Sequence, residues 1–369
     1  MSKKIIFHHP LPLNFNALSG SGIRPVEMYK AFLSLGYEVD LVTGYSNERS
    51  SNISIIIEKI KNGHKYDFCY SEASTMPLAL TDLDHYPRKP FMDIHFFRYL
   101  KKNKIKIGVF YRDIYWKFSD KDKVSFLNKC KKTISELFYK LELIAYEKYI
   151  DIVFIPSFQM GEYIPFIDSS KFQELNPGTK KVSVISHIST RDKIEILYIG
   201  GTTGFYNIDL FINVISKYFG NKINLTICTR ENDANILKSN IDYMSDNVEI
   251  VSLCGEELFD LYKKCDCVSL YLEPSEYRTF AVPIKLFEYI SYGKPIITTQ
   301  GTWAGKFVIN EKVGWSVPYS ERELCDFLND LYEKRSKISI FSNFIAQKAT
   351  SFSWENRCKE VDDLLRSNK

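Results

Sequence analysis

Residues 283–295 read Pro-Ile-Lys-Leu-Phe-Glu-Tyr-Ile-Ser-Tyr-Gly-Lys-Pro. Proline favours the first position of a helix and glycine favours its left-handed end, so this stretch predicts a helix that begins at Pro283 and stops at Gly293. Apolar side chains recur inside it at helical spacing and form the predicted buried face. The apolar run 295–299 follows and indicates a buried β-strand.

Similar apolar runs alternate with helix-patterned segments along the chain, and a polar stretch, 176–192, separates them into two series. The runs span residues 5–8, 39–43, 68–70, 106–111 and 152–156, and then 194–199, 223–228, 248–251, 268–272 and 295–299. This alternation predicts parallel sheets covered by helices on both faces. We therefore predict an α/β protein with two doubly wound, Rossmann-like domains that face a cleft.

Length and composition agree with that architecture and exclude several classes of protein. A chain of 369 residues suits two α/β domains, and 45% hydrophobic with 25% charged residues is typical of globular proteins. No apolar run approaches the roughly 18 residues of a membrane span, and the first residues lead directly into a strand, so we expect no signal peptide. The eight cysteines form no Cys-x-x-Cys pair, which predicts reduced thiols, no metal site and a cytoplasmic protein.

The net charge of +4 is too small to indicate a nucleic-acid partner, but lysines cluster in two places. The clusters are Lys101, Lys102, Lys104 and Lys106, and Lys121, Lys123, Lys129, Lys131 and Lys132. A solvated face explains such runs in most proteins. The alternative is a surface that contacts anionic lipid at the inner face of the plasma membrane, supported by interleaved aromatic residues: Phe96, Phe97, Tyr99, Phe110, Tyr111 and Trp116.

Lys285 and Glu288 lie three residues apart near the start of the predicted helix 283–293. A helix amino terminus presents unpaired N–H groups to an anion, and Lys285 would complete a diphosphate site there. Glu288, one turn further, suits the two hydroxyl groups of a ribose. The alternative is an intrahelical ion pair worth a few tenths of a kcal/mol.

This helix resembles the donor-binding helix of the bacterial GT-B glycosyltransferases, similar to family four, that build surface polysaccharides. The resemblance implies that Glu288 holds the nucleotide ribose and that Lys285 meets the diphosphate. Much of the superfamily has a second glutamate eight residues earlier, where this chain has Phe280. The helix is therefore similar to the variant of this family in which a Lys lies two positions after the Pro, as in the xanthan glucuronosyltransferase.

The resemblance also implies an acceptor domain, 1–180, a donor domain, 181–348, and a final helix, 349–369, that crosses back to the first domain. A strand that enters the turn Gly200-Gly201-Thr202 is similar to the family's first donor-domain strand, and its N–H groups suit a phosphate. A tight turn without a ligand would use the same glycines. The predicted donor-binding residues are Lys285, Glu288, Gly201, Thr202, Arg230, Tyr271 and Ile284.

In the first domain, Gly20-Ser21-Gly22-Ile23-Arg24-Pro25 predicts a loop before a helix that Pro25 begins. It is not a Gly-x-Gly-x-x-Gly fingerprint, so a nicotinamide cofactor is not indicated. The family places this loop near the donor phosphates or the acceptor. The predicted acceptor or phosphate contacts are Gly20, Ser21, Gly22, Arg24, Glu72 and Arg112.

Transfer to a hydroxyl with inversion needs a group that accepts the hydroxyl proton. Asp113 follows the predicted strand 106–111 and resembles the catalytic aspartate of the xanthan-type enzyme, with a surface or helix-capping role as the alternative. Glu72, Asp93 and His95 are competing candidates.

The sequence thus predicts a glycosyltransferase that needs no metal or cofactor. It would move a sugar from a nucleotide-diphosphate donor, with UDP as the expected nucleotide, to a saccharide or lipid-linked oligosaccharide in capsule, O-antigen or exopolysaccharide assembly. Two alternatives stay open: a nucleotide-sugar epimerase on the same fold, and a non-catalytic nucleotide-sugar-binding protein.

Overall fold

The computed structural model describes residues 3–17, 20–118, 126–179, 192–240 and 245–367, without the side chains of residues 126–131, 205 and 240. Lys121, Lys123 and the predicted boundary between residues 180 and 181 lie outside this part of the chain. The chain divides into two compact units, one formed by Met1–Gly178 with Trp354–Lys369 and the other by Thr179–Ser353.

The first unit contains a parallel six-stranded sheet in the order β2-β1-β3-β4-β5-β6. Its strands are β1 (Lys4–His9), β2 (Glu38–Thr43), β3 (Phe68–Glu72), β4 (Lys106–Phe110), β5 (Ile152–Ile155) and β6 (Phe172–Glu174). Its first six helices are α1 (Gly20–Ser34), α2 (Ser46–Lys61), α3 (Met92–Lys102), α4 (Tyr115–Phe118), α5 (Phe126–Tyr149) and α6 (Phe158–Gly161). Since β2 and β3 lie on opposite sides of β1, the strand order reverses there, and such a reversal creates a crevice beyond the carboxyl ends of the strands.

The second unit repeats this plan in the order β12-β11-β10-β7-β8-β9, also parallel. Its strands are β7 (Ile194–Ile199), β8 (Ile223–Cys228), β9 (Val248–Val251), β10 (Cys267–Leu270), β11 (Ile296–Thr299) and β12 (Gly314–Val317). Its helices are α7 (Asp209–Tyr218), α8 (Glu231–Asn240), α9 (Glu257–Lys264), α10 (Ile284–Ser291), α11 (Trp303–Glu311), α12 (Glu321–Glu333) and α13 (Ser336–Lys348). The strand order reverses at β7, between β8 and β10.

A last helix, α14 (Trp354–Arg366), belongs to the first unit. Trp354, Cys358, Val361 and Leu365 recur at helical spacing and pack in one apolar cluster with residues of α1 and of the first sheet. The second unit has two apolar clusters: one contains side chains of α7 and α12, and the other contains those of α10 and α11. The predicted pair of doubly wound α/β sheets is therefore confirmed.

Most of the aromatic side chains expected at a lipid surface lie in the interior instead. Phe96, Phe97, Phe110 and Tyr111 are each at most 3% exposed, because α3 and β4 direct them into the core. The predicted mixed surface of lysine and aromatic residues is therefore wrong in composition. No helix in the described part of the chain is long and apolar enough to span a membrane.

Candidate active site

Helix α10 follows the sequence prediction with one correction at its start. Pro283 is the cap residue, with φ and ψ of −75° and 125°, and the first helical residue is Ile284. The extended ψ of Pro283 places it outside the helix while its fixed φ still directs the chain into it. Gly293 has a φ of 73°, the left-handed conformation that the sequence predicted at the stop.

Lys285 and Glu288 form an ion pair on α10, with 2.8 Å between Lys285 Nζ and Glu288 Oε2. The Tyr262 hydroxyl of α9 donates to Glu288 Oε1 at 2.9 Å, so both carboxylate oxygens are engaged. The Lys285 and Glu288 side chains are 32% and 27% exposed. The intrahelical pair is therefore present, at a position where both charges also face solvent.

A buried tyrosine joins α10 to the end of β7. The Tyr289 hydroxyl accepts from the Ile199 N–H at 3.0 Å and lies 3.3 Å from the Ile199 carbonyl oxygen. The turn Gly200-Gly201-Thr202 begins at that point, and the Thr202 hydroxyl donates to the Asp233 carbonyl oxygen at 3.4 Å. The structure therefore brings the predicted glycine turn and α10 together at the point where the strand order reverses.

Three cationic side chains lie around this end of the second sheet. Burial raises the pKa of the Cys228 thiol at the end of β8, and Lys285 is close enough to oppose that rise. Arg230 is exposed two residues beyond β8. Arg278 lies in the loop before α10, which the family resemblance implies is near the transferred sugar, and its guanidinium carbon is 5.6 Å from the centre of the Tyr206 ring. A short 3₁₀ turn, Tyr277–Thr279, sets its position.

Tyr271 and Ile284 have different environments. Tyr271 is fully buried, donates to the Pro318 carbonyl oxygen at 2.7 Å and stacks on Tyr319 with 5.3 Å between ring centres. It belongs to the apolar cluster of α7 and α12, not to that of α10. Ile284 is half-buried in the first turn of α10. The structure therefore leaves Tyr271 apart from Lys285 and Glu288.

In the first unit, Gly20, Ser21 and Gly22 are helical, and the predicted loop with a helix start at Pro25 is wrong. Proline inside a helix has no N–H for the carbonyl four residues earlier, which here is that of Ser21. Arg112 supplies a donor instead, with Nη1 at 2.5 Å from the Ser21 carbonyl oxygen. This contact between residues far apart in the sequence thus satisfies the Ser21 carbonyl group, which has no helical partner because of Pro25.

Arg24, Glu72 and Arg112 form a buried ionic cluster at the ends of β3 and β4. Arg24 Nε donates to Glu72 Oε1 at 3.0 Å, Tyr70 donates to the same oxygen at 2.5 Å, and Arg112 Nη2 lies 3.9 Å from Glu72 Oε2. The Arg24 guanidinium carbon also lies 3.4 Å from the centre of the Phe110 ring. Two guanidinium groups therefore share one carboxylate, which leaves an excess positive charge in the interior.

Several polar atoms of this cluster are buried without a hydrogen-bond partner among the described residues: Arg24 Nη2, Glu72 Oε2, Arg112 Nε and Arg112 Nη2. Burial opposes the charge on Arg24, but Glu72 and Tyr70 together outweigh burial and raise the pKa of that guanidinium. For Arg112, burial prevails over Glu72 and lowers the pKa. The positive charge of Arg112 is therefore less well compensated than that of Arg24. Buried donors without protein partners are costly, so these nitrogens are suited to donate to a ligand.

Asp113 lies beyond β4, partly exposed, and its Oδ1 accepts from the Ile114 N–H at 2.6 Å, just before α4. Asp93 is instead buried: Arg49 donates to its two oxygens at 2.8 and 3.0 Å, and His8 Nε2 lies 3.0 Å from Oδ1. Burial disfavours the Asp93 charge, but Arg49 and His8 outweigh burial and lower its pKa. His95 is exposed on α3. Among the candidate bases, Glu72 and Asp93 are thus tied into buried ion pairs.

Comparison with known proteins gives one family match and many structural matches. Residues 193–334, which include β7 to β12, match the family model described as glycosyl transferases group 1. A search of curated proteins found no match. Sucrose-phosphate synthase from Thermosynechococcus elongatus is 13% identical, with a TM-score of 0.64 and 99% of both chains covered.

Two further solved structures share the fold at similarly low identity. HepE from Anabaena, in complex with UDP-glucose, is 12% identical with a TM-score of 0.62 and 99% of both chains covered. WaaG, a glycosyltransferase involved in lipopolysaccharide biosynthesis, is 13% identical with a TM-score of 0.61, covering 98% of this chain and 99% of that one. The group 1 domain at residues 193–334 and the GT-B fold together identify the protein as a glycosyltransferase.

Proposed function

We propose that the enzyme transfers a sugar from a UDP-sugar to a hydroxyl group of a saccharide acceptor. The observation that carries this proposal is the position of Lys285 and Glu288 on the first turns of α10, tied by Tyr289 to the glycine turn after β7. HepE, which shares the fold, is solved with UDP-glucose.

The donor diphosphate would lie against the amino terminus of α10. Unpaired N–H groups and the positive end of the helix dipole attract an anion there, and Lys285 adds a full charge. When Lys285 turns toward the diphosphate, Glu288 loses its ion-pair partner and can accept from the ribose hydroxyls, with Tyr262 still holding its Oε1. Further proposed donor contacts are Gly201, Thr202, Arg230, Arg278 and Ile284; we assign none to the buried Tyr271.

The acceptor would bind to the first unit, near Gly20, Ser21 and Gly22 at the start of α1. Arg112 is the proposed contact for an anionic or strongly polar group of the acceptor, because two of its nitrogens lack hydrogen-bond partners among the described residues. Glu72 and the Ser21 carbonyl oxygen hold that guanidinium in place. A lipid-linked oligosaccharide of surface polysaccharide assembly is the proposed acceptor class.

The proposed chemistry is direct displacement with inversion at the anomeric carbon. The acceptor oxygen forms a bond to that carbon as the bond to the leaving diphosphate breaks, and the Asp113 carboxylate takes the acceptor proton. Lys285, the α10 N–H groups and Arg230 stabilise the negative charge on the diphosphate. The hydrogen bond from the Ile114 N–H orients the Asp113 carboxylate.

A thermal-shift screen over nucleoside diphosphates and their sugars tests the donor assignment, because a ligand raises Tm according to its occupancy. Transfer is then measured in Asp113→Asn, which should bind donor normally and lose about 10²- to 10⁴-fold in rate. Asp363→Asn on the exposed side of α14 is the matched control. Unchanged turnover in Asp113→Asn would exclude this residue as the base.

The same assays separate the two alternative functions. An epimerase would convert the donor sugar without any acceptor, which NMR of the sugar product detects. A non-catalytic binder would show a thermal shift with neither transfer nor slow hydrolysis of the donor.

A further inference from the structure

Two buried tyrosines hold the glycine turn after β7 from opposite faces of the second sheet. Tyr289 of α10 contacts the backbone of Ile199, and the hydroxyl of Tyr198 in β7 donates to the Gly201 carbonyl oxygen at 2.5 Å. Tyr198 packs in the apolar cluster of α7 and α12, whereas Tyr289 packs in that of α10 and α11. Burial raises the pKa of the Tyr198 hydroxyl, so this group stays protonated and remains a donor. The direction of the Gly201 carbonyl group is therefore fixed by a side chain of β7.

The residue at position 200 leaves room for this hydrogen bond. A Cβ added at Gly200 would lie 2.9 Å from Tyr198 Oη and 3.2 Å from Tyr198 Cζ, and the first distance is shorter than real Cβ contacts in proteins. A methyl group at this position would therefore displace the hydroxyl from the Gly201 carbonyl oxygen. Glycine at position 200 and tyrosine at position 198 thus depend on each other.

The N–H of Thr202 belongs to the same peptide group as the Gly201 carbonyl. A trans peptide group is planar, its C=O and N–H point in opposite directions, and the described residues include no cis peptide bond. The Thr202 N–H is therefore directed away from Tyr198 and toward the face of the sheet that α10 covers. No described residue accepts a hydrogen bond from it. Glycine at position 201 would let this peptide turn over, so the hydrogen bond from Tyr198 selects its orientation.

We propose that Tyr198 is a positioning residue that directs the Thr202 N–H toward the diphosphate of the donor nucleotide. The inference rests on the proposed function, in which the diphosphate lies against the amino terminus of α10. An N–H that is fixed before the anion arrives needs no reorganisation, and its hydrogen bond to a charged oxygen is stronger than one to a neutral acceptor. Without the hydroxyl, the peptide is free to turn its carbonyl oxygen toward the diphosphate, which repels it. Tyr198 itself touches no part of the donor.

The test compares the Kd for UDP, from isothermal titration calorimetry, with the Kd for uridine, which lacks the phosphates, from NMR titration. Tyr198→Phe removes only the hydroxyl. It should raise the Kd for UDP about 10- to 150-fold, which is the loss of one hydrogen bond to a charged group, and leave the Kd for uridine within twofold. Gly200→Ala keeps the hydroxyl but displaces it, so it should weaken UDP binding in the same selective way. Because both changes act through one hydrogen bond, the double variant should bind UDP little more weakly than Tyr198→Phe alone.

Thr298→Val is the matched control, because Thr298 is a buried residue of the same unit whose hydroxyl donates to the Trp315 carbonyl oxygen at 2.7 Å. It should lower Tm about as much as Tyr198→Phe does and change neither Kd. Hydrogen exchange of the unmodified protein adds a measurement that needs no variant. UDP should slow the exchange of the Thr202 amide, whereas uridine should not.

An unchanged Kd for UDP in Tyr198→Phe would overturn the inference and leave the proposed function intact. An equal rise in the Kd values for UDP and uridine would also overturn it, because a merely structural role weakens both. Equal affinity of the unmodified protein for UDP and uridine would refute the diphosphate site of the proposed function, and this inference with it. If circular dichroism shows that a variant does not fold, the exchange measurement decides alone, and a Thr202 amide that UDP does not protect overturns the inference.

Discussion

Replacing Glu288 by glutamine tests whether α10 binds the donor ribose or merely carries an ion pair. In the structure Glu288 Oε2 pairs with Lys285 at 2.8 Å and Oε1 accepts from Tyr262 at 2.9 Å. Glutamine keeps the length of the side chain and an oxygen for Tyr262, and it removes the charge. The change therefore affects the ion pair and any charged hydrogen bond to a ligand, with little effect on packing.

The two interpretations predict free-energy effects of different size. An ion pair with side chains 32% and 27% exposed contributes at most about 1 kcal/mol, so loss of the pair should lower Tm by no more than about 4 °C in a protein of this size. A hydrogen bond from a neutral donor to a carboxylate contributes about 1.5 to 3 kcal/mol. If Glu288 accepts from the ribose hydroxyls, the Kd for UDP should rise about 10- to 150-fold.

Isothermal titration calorimetry with UDP and a thermal melt without ligand measure the two effects separately. Glu27→Gln is the matched control, since Glu27 forms an i,i+3 pair with a lysine, Lys30, on α1, at 3.4 Å. A Kd for UDP within twofold of the unmodified protein, with Tm also little changed, would refute the ribose role of Glu288. A fall in Tm much larger than that of the control would refute the premise that the pair contributes little to folding.

Three further predictions concern the fold. Asp93→Asn removes the charge partner of the buried Arg49 and should cost about 3 to 5 kcal/mol in urea unfolding, whereas an unchanged midpoint would contradict the ion pair. Gly314→Ala would place a Cβ 2.0 Å from the Ile296 carbonyl oxygen in the next strand, so we expect a loss of about 3 kcal/mol, also from urea unfolding. Burial lowers the pKa of His9 to about 3. As the pH falls, the unfolded chain therefore binds a proton on this imidazole before the folded chain does, and the free energy of unfolding should fall by about 1.4 kcal/mol per pH unit between pH 6.5 and about 3. In urea unfolding over this pH range, His9→Gln should reduce that slope.

The strands were predictable where their sequences are apolar and were missed where they are not. All ten predicted runs contain a strand, whereas β6 and β12 were not predicted. Strand β6 has only three residues, Phe-Gln-Glu, and lies at the edge of the sheet. One row of its backbone groups has no neighbouring strand, and so short an edge strand has no apolar run that marks it in the sequence. Strand β12 begins with Gly314, which the sequence alone presents as a turn residue, although the close approach of β11 requires it.

The start of α1 shows a different limit of prediction from the sequence. A proline after two glycines favours a loop followed by a helix, and local preference alone supports that interpretation. The helix extends back to Gly20 because Arg112, 91 residues from Ser21, donates to the carbonyl that Pro25 cannot reach. No local pattern contains this contact, since it depends on how β4 places its carboxyl end beside α1.

The roles of the candidate bases were also not predictable from local sequence. Acidic side chains just beyond a strand are all candidates by position, and their partners determine their roles. Asp93 has an arginine and a histidine within hydrogen-bond distance, and Glu72 has an arginine and a tyrosine. The two arginines and the histidine come from other strands and helices, so these ion pairs were not visible in the sequence. Asp113 is instead partly exposed, and it accepts from the N–H of the next residue, Ile114.

The two units hold their cations in ways that suit different ligands. Lys285 is about one third exposed and its partner lies on the same helix, so it can exchange Glu288 for an incoming anion at small cost. Such an exchange suits a nucleoside diphosphate, which must leave after every turnover. Arg24 is fixed between Glu72 and the Phe110 ring, and its removal from Glu72 would leave a buried charge uncompensated. Arg24 is therefore fixed in place, and in the first unit we propose that ligands bind instead to Arg112, whose Nε and Nη2 lack hydrogen-bond partners among the described residues.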